Sequence, residues 1–136
     1  MREQSRTALR LAEALAGDKR VAKVFYPGLK SHPGHAIAAR QMVGGFGAML
    51  SFEVAGDFEQ TKRVCESTKL FQLAVSLGAV ESLIEQPASM SHASYDPADR
   101  KKHGINDGLI RLSVGLEEFD DLWADLDQAL AVALKK

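Results

Sequence analysis

A short apolar run at residues 109–114 carries Arg111, the residue with the clearest capacity for chemistry. Glycines and turn signals flank the run, which predicts a β-strand. Side chains alternate along a strand, so Ile110, Leu112 and Val114 share one apolar face and Arg111 lies on the other. A guanidinium is a rigid fork of donors suited to a carboxylate or phosphate, which makes Arg111 a candidate anion-binding residue. The alternative is a solvated or ion-paired strand arginine, since structural ion pairs are common.

The other reactive residue types do not complete a catalytic constellation. His32 and His35 flank a Pro-Gly pair, but no further zinc ligand stands near them in the sequence. The glycines of residues 44–47 lack the Lys-Ser/Thr ending of a phosphate-binding loop. Lys69 has no recognisable cofactor cradle around it. Cys65 falls on the apolar side of a predicted helix and is interpreted as a core residue.

Composition limits the class of protein. The chain has 136 residues, enough for one domain with a hydrophobic core. Its net charge of −1 gives no electrostatic reason to expect nucleic acid or a membrane surface as a partner. The single cysteine, Cys65, excludes an internal disulfide framework and is consistent with a cytoplasmic setting. No apolar run approaches the length of a membrane span.

The elements that position Arg111 follow from hydrophobic periodicity and turn signals. Helices are predicted from the start of the chain to Gly17 and at residues 35–43, 57–67 and 119–134, with strands at residues 21–26, 48–54, 70–75, 80–84 and 109–114. Residues 89–102 are predicted as a loop with a turn of helix. The last helix has acidic residues at its start and Lys135 and Lys136 at its end, which complements the helix dipole.

This order of elements predicts an α+β fold, with a small antiparallel-rich sheet covered by helices on one face. The opposite face, which carries Arg111, must meet something else.

Two sequence blocks resemble a known family. Residues 75–94 read Val-Ser-Leu-Gly-Ala-Val-Glu-Ser-Leu-Ile-Glu-Gln-Pro-Ala-Ser-Met-Ser-His-Ala-Ser, and residues 104–117 read Gly-Ile-Asn-Asp-Gly-Leu-Ile-Arg-Leu-Ser-Val-Gly-Leu-Glu. At this separation they strongly resemble the C-terminal domain of the Cys/Met-metabolism enzymes. This is the pyridoxal-phosphate group of cystathionine γ-lyase, cystathionine γ-synthase, methionine γ-lyase and O-acetylhomoserine sulfhydrylase. The resemblance covers essentially the whole chain.

The resemblance implies that residues 1–136 are one substrate-carboxylate-binding domain, the C-terminal small domain of a fold-type I enzyme. The N-terminal cofactor domain is then absent from this chain, and with it the lysine that binds pyridoxal 5'-phosphate. The partners implied are this missing domain and a small amino-acid substrate, and the full-length enzyme is expected to be a homotetramer. The isolated chain is expected to fold but to show neither lyase activity nor cofactor absorbance.

The resemblance also assigns substrate-binding residues. It places Arg111 on the substrate α-carboxylate as a bidentate clamp and Ser76 on the same carboxylate. Ser91 stands where the family usually has threonine, and Leu77 lies in the same Ser-Leu-Gly block as Ser76. Val75 stands where several cystathionine-cleaving members carry glutamate, which favours methionine γ-lyases or sulfhydrylases. No catalytic residue is assigned within this chain.

The reaction implied is γ-elimination or γ-replacement on a sulfur amino acid, of the methionine γ-lyase or cystathionine γ-lyase type. The alternatives are an O-acetylhomoserine sulfhydrylase or a cystathionine γ-synthase. From a different class, the chain is a stand-alone carboxylate-binding or interaction module, or a structural domain in which Arg111 is ion-paired internally.

Overall fold

A computed structural model describes residues 1–134 of the chain. Its helices are α1 (Arg2–Ala16), α2 (His35–Gln41), α3 (Phe58–Glu66), α4 (Pro97–Lys102) and α5 (Phe119–Ala133). Its strands are β1 (Val21–Phe25), β2 (Met49–Val54), β3 (Gln72–Leu73), β4 (Leu83–Glu85) and β5 (Leu109–Ser113). The predicted basic end of the last helix, Lys135 and Lys136, lies outside the described residues.

The strands form one five-stranded sheet in the order β1–β2–β5–β4–β3. The pairs β1–β2, β2–β5 and β4–β5 are antiparallel, whereas β3 and β4 are parallel. The prediction of a small antiparallel-rich sheet is therefore wrong, because the sheet is mixed. The strands predicted at residues 70–75 and 80–84 correspond to β3 and β4, which are not joined by a tight turn as antiparallel neighbours can be. Residues 74–82 instead cross over, as a parallel pair requires.

One face of the sheet forms the hydrophobic core. Leu50 and Phe52 of β2 pair with Leu112 and Ile110 of β5, and all four side chains are almost completely buried. Helices α1 and α5 cover this face with side chains that are fully buried: Leu11, Leu15, Leu122, Leu126 and Leu130. The alternation predicted for residues 109–114 is confirmed, and β2 alternates in the same way. The residues between these core positions, Arg111 among them, point to the opposite face.

Local capping determines where α3 begins. The Asp57 side chain accepts a hydrogen bond from the Gln60 backbone N–H at 2.8 Å, and the Gln60 side chain accepts one from the Asp57 backbone N–H at 3.0 Å. This reciprocal pair is a capping box, and the helix predicted at residues 57–67 is confirmed with Asp57 as its N-cap. None of the helices over residues 1–134 combines the length and hydrophobicity needed to cross a bilayer.

Hydrogen bonds hold both ends of the segment that leads through β3 to β4. At its start, the buried carboxylate of Asp125 accepts from the backbone N–H groups of residues 69–71. At its end, Glu117 accepts from the backbone N–H and hydroxyl of Ser82, each at 2.8 Å. Gln4 donates to a carbonyl in the same segment at 2.9 Å. Residues 75–78, between these anchors, are exposed and lie beside Arg111.

Candidate functional site

Arg111 lies in the middle of β5 on the sheet face opposite the helices, as its position in the alternation predicted. Its side chain is 20% exposed, and its Nη1 lies 2.8 Å from Oε1 of Glu85. The two residues are cross-strand neighbours in the β4–β5 pair. Glu85 is the functional candidate that the sequence analysis missed. The available signal was a glutamate directly after the apolar pair Leu83-Ile84, but its arginine partner is distant in the sequence.

Glu85 connects Arg111 to Ser91. The Ser91 hydroxyl donates to Oε1 of Glu85 at 3.2 Å and also lies 3.0 Å from Nδ1 of His92. Glu85 is only 1% exposed, and its second oxygen, Oε2, is buried without a hydrogen-bond partner among the described residues. Ser91 therefore hydrogen-bonds to the partner of Arg111, Glu85, and not to Arg111 itself.

The exposed loop beside Arg111 meets the guanidinium through its backbone. Nη2 of Arg111 donates to the carbonyl of Val75 at 3.0 Å and to that of Ser76 at 3.2 Å. The Ser76 hydroxyl points along its own loop, towards the carbonyl of Gly78 at 3.4 Å. The side chains of Val75 and Leu77 are open to solvent, at 48% and 69% exposure. The structure thus brings Arg111, Ser76 and Val75 together, with Leu77 following in the same loop.

This arrangement can bind an anion but contains no group placed to break a covalent bond. A guanidinium has five N–H donors in a fixed fork. Glu85 and the two loop carbonyls occupy donors on Nη1 and Nη2, and Nε makes no hydrogen bond to the described residues. The Arg111 side chain is 20% exposed, so a carboxylate could approach it from solvent. The chemistry that the site supports is recognition and orientation.

The other reactive residues have structural surroundings. Burial raises the pKa of the Cys65 thiol to about 12, and this residue is part of the hydrophobic core, as predicted. His32 accepts from the Gly34 backbone N–H at 3.1 Å, and Nδ1 of His35 lies 2.8 Å from the Pro27 carbonyl. Residues 1–134 contain no group of three or more metal-ligating side chains.

Comparison with known proteins identifies the family. The model of the family described as "Cys/Met metabolism PLP-dependent enzyme" matches residues 1–131. The chain belongs to this family. An L-methionine gamma-lyase from Fusobacterium nucleatum is 49% identical over 130 residues, and a cystathionine beta-lyase from Coxiella burnetii is 52% identical over 130 residues. Each match covers 96% of this chain and 33% of the relative.

Solved structures of the family have the same fold. A cystathionine gamma-lyase from yeast superposes with a TM-score of 0.94 at 43% identity, covering 98% of this chain and 35% of that one. A cystathionine gamma synthase from Xanthomonas oryzae pv. oryzae, solved in complex with cystathionine, gives a TM-score of 0.90 at 47% identity. This second match covers 98% of this chain and 34% of that one. The chain therefore spans about a third of the length of the relatives that it matches.

Two lysines, Lys69 and Lys62, do not fit the cofactor that gives the family its name. A lysine that forms a Schiff base needs a desolvated setting that lowers its pKa. Lys69 is exposed. Lys62 borders a cavity of about 490 Å³ between α3 and residues 86–97, but its side chain is 46% exposed and lies 3.8 Å from Glu66. Neither of these two lysines has the surroundings that the cofactor requires.

Proposed function

We propose that this chain is the substrate-carboxylate-binding part of a pyridoxal-phosphate enzyme that acts on a sulfur amino acid. The observation that carries the proposal is Arg111, whose side chain is partly exposed and whose guanidinium is held by Glu85 and two loop carbonyls on the sheet face opposite α1 and α5. Family membership adds the cofactor, which supplies the electron sink when it is bound. Held at its carboxylate by Arg111, an amino acid would present its α-hydrogen in one orientation, and orientation is a large part of catalysis.

The cofactor lysine is proposed to lie in a separate N-terminal domain of a longer polypeptide, and residues 1–136 are proposed to form one C-terminal domain. Exposed apolar side chains on the loop that contacts Arg111 and just after it support this division. Val75, Leu77, Val80 and Leu116 are 48%, 69%, 70% and 53% exposed. Val75 and Leu77 belong to the loop that contacts Arg111, and the Leu116 backbone N–H donates to the Val80 carbonyl. Exposed apolar side chains close together are typical of a surface that another body covers. We propose that the cofactor-binding domain packs here and closes the site above Arg111.

The reaction that we propose is cleavage or exchange of a substituent at Cγ. The Val75 side chain is apolar and exposed beside Arg111, so it cannot hold a second amino group as a carboxylate would. This favours methionine over cystathionine and supports the methionine γ-lyase type. The relatives carry γ-lyase, β-lyase and γ-synthase names, so β-elimination and γ-replacement are the competing reactions.

One observation favours a second role for Arg111. Its 2.8 Å contact with the buried Glu85 is the internal ion pair that a purely structural arginine would make. In that case the guanidinium would stabilise the β4–β5 pair and bind no ligand.

Assembly and location follow the same proposal. We propose a homotetramer for the full-length enzyme, which sedimentation equilibrium of that enzyme measures directly. A cytoplasmic location fits a chain with one cysteine, Cys65, because reducing compartments do not support disulfide frameworks.

The test uses the full-length enzyme that contains this chain, with L-methionine and L-cystathionine as substrates. Arg111→Ala should lower kcat/KM for both by about 100-fold or more, since loss of a charge-assisted bidentate pair costs roughly 3 kcal/mol. Arg111→Lys should recover only part of this, because an ammonium cannot make the planar fork. The control is Arg63→Ala, an exposed arginine on α3. Full activity of Arg111→Ala would refute the carboxylate role and leave the structural one.

A further inference from the structure

The partner of Arg111 has features that stability alone does not explain. Glu85 is 1% exposed, and its Oε1 accepts from both Arg111 and Ser91. Its Oε2 is buried and has no hydrogen-bond partner among the described residues. A buried ion pair is commonly no better for stability than apolar residues of similar volume, and an unsatisfied oxygen adds a cost.

The contacts of Arg111 suggest a role for this buried ion pair: it fixes the orientation of the guanidinium. The arginine side chain is long and flexible, and in a partly open site it would sample several rotamers. Glu85 contacts Nη1, and the carbonyls of Val75 and Ser76 contact Nη2, so the plane of the guanidinium is fixed from two sides. Of these contacts, only Glu85 lies within a strand of the same sheet, as the cross-strand neighbour of Arg111. The loop carbonyls belong to an exposed segment.

We propose that Glu85 is a positioning residue that holds the Arg111 fork in the orientation that receives a substrate carboxylate, with Ser91 steadying Glu85. This inference rests on the proposed function. Glu85 does not touch the substrate in this scheme. It acts through Arg111, and its contribution is the hydrogen bond that Oε1 accepts from Nη1.

The hydrogen bond and the negative charge of Glu85 predict different outcomes for different substitutions. In Glu85→Gln, the amide oxygen can still accept from Nη1 of Arg111, while repulsion between Glu85 and an incoming carboxylate disappears. Glu85→Ala removes the acceptor and frees the guanidinium. Positioning therefore predicts that the glutamine variant retains carboxylate binding and that the alanine variant loses it.

The experiment compares two probes of the full-length holoenzyme by calorimetry. L-Norleucine has the shape of methionine without a leaving group, and 1-pentylamine is the same molecule without its carboxylate. The ratio of their dissociation constants reports the carboxylate contact alone. Glu85→Ala should reduce the preference for norleucine by about tenfold, since small misplacements in a site are costly. Glu85→Gln should stay within about threefold of the wild type. Binding of 1-pentylamine should not change in either variant.

A control variant, Arg111→Ala, makes the outcome decisive. Arg111→Ala should abolish the preference for norleucine. If it does and Glu85→Ala does not reduce that preference, the positioning role is refuted while the carboxylate role of Arg111 stands. If Arg111→Ala itself keeps the preference, the proposed function fails. An equal loss in Glu85→Gln and Glu85→Ala, or a parallel loss of 1-pentylamine binding, also overturns the inference.

Ser91→Ala covers the case in which Glu85→Ala does not fold. It removes the 3.2 Å hydrogen bond from Ser91 to Glu85, together with the 3.0 Å contact between Ser91 and His92, and leaves the ion pair in place. The expected result is a reduction of about threefold in the preference for norleucine, because Glu85 is less firmly held. An unchanged preference in this variant would then count against the positioning role.

Discussion

Asp125 of α5 is predicted to hold the chain that leads towards Arg111. Its Oδ1 accepts from the Lys69 backbone N–H at 2.8 Å, and its Oδ2 accepts from those of Leu70 and Phe71 at 2.8 and 3.1 Å. Gln128 donates to Oδ1 at 3.2 Å. Asp125 is 5% exposed. This one side chain therefore satisfies three successive backbone donors immediately before β3.

The cost of Asp125→Ala follows from those three donors. Phe71 is 3% exposed, so its amide would be left buried and unsatisfied, which costs about 1–3 kcal/mol. Lys69 and Leu70 are exposed, so their amides can turn to water and lose roughly 1 kcal/mol each. The expected total is about 3–5 kcal/mol, a large part of the typical stability of a domain. Asp125→Asn keeps one acceptor oxygen and should cost about half as much.

Urea denaturation of the 136-residue chain, followed by circular dichroism, measures the difference. The midpoint should fall and the slope should stay constant if the native fold is retained. Asp121→Ala is the matched control, an exposed aspartate in the first turn of the same helix. Its gain in helix propensity offsets its lost interaction with the helix dipole to within about 0.5 kcal/mol. A cost below about 1 kcal/mol for Asp125→Ala would refute this reasoning.

Two further predictions concern titratable groups. Because burial raises the pKa of Cys65 to about 12, the native chain should not react with an aromatic disulfide reagent at pH 8, whereas the urea-unfolded chain should react fully. Rapid labelling of the native chain would show that this residue is accessible. The pKa of Asp18 is lowered from 3.8, chiefly by its side-chain hydrogen bonds with Arg20. The ionised Asp18 carboxylate therefore stabilises the fold fully above pH 3.8, and this contribution is lost as the pH falls through the lower pKa of the folded state. In Asp18→Asn, the free energy of unfolding measured by urea denaturation should therefore depend less on pH on the acid side. The same substitution at the exposed Asp99 should not have this effect. Identical pH profiles for the wild type and Asp18→Asn would contradict the assignment.

Local patterns predicted the residues around β5 well. The outward position of Arg111 follows from alternation within five residues, because successive side chains in any strand point to opposite faces. The N-cap at Asp57 was also readable, since a capping box spans only three residues. The family could be recognised because each of its two motif blocks, residues 75–94 and 104–117, is an unbroken stretch of sequence.

Strand pairings between segments that are distant in the sequence could not be predicted from the sequence. The strands at residues 70–75 and 80–84 were predicted within one antiparallel-rich sheet, whereas β3 and β4 are parallel. Their parallel arrangement depends on anchors elsewhere, including Asp125 on α5 and Glu117 just before it. No local pattern encodes those contacts.

The sequence by itself determined which face of β5 is apolar, which residue could bind an anion, and the family. Only the tertiary structure decided what that residue touches. Arg111 meets Glu85 across a strand pair and the carbonyls of residues 75–76 across a crossover. The reason is physical: alternation and capping are set by the geometry of adjacent residues, whereas the partner of a buried charge is set by which strands the packed core places side by side.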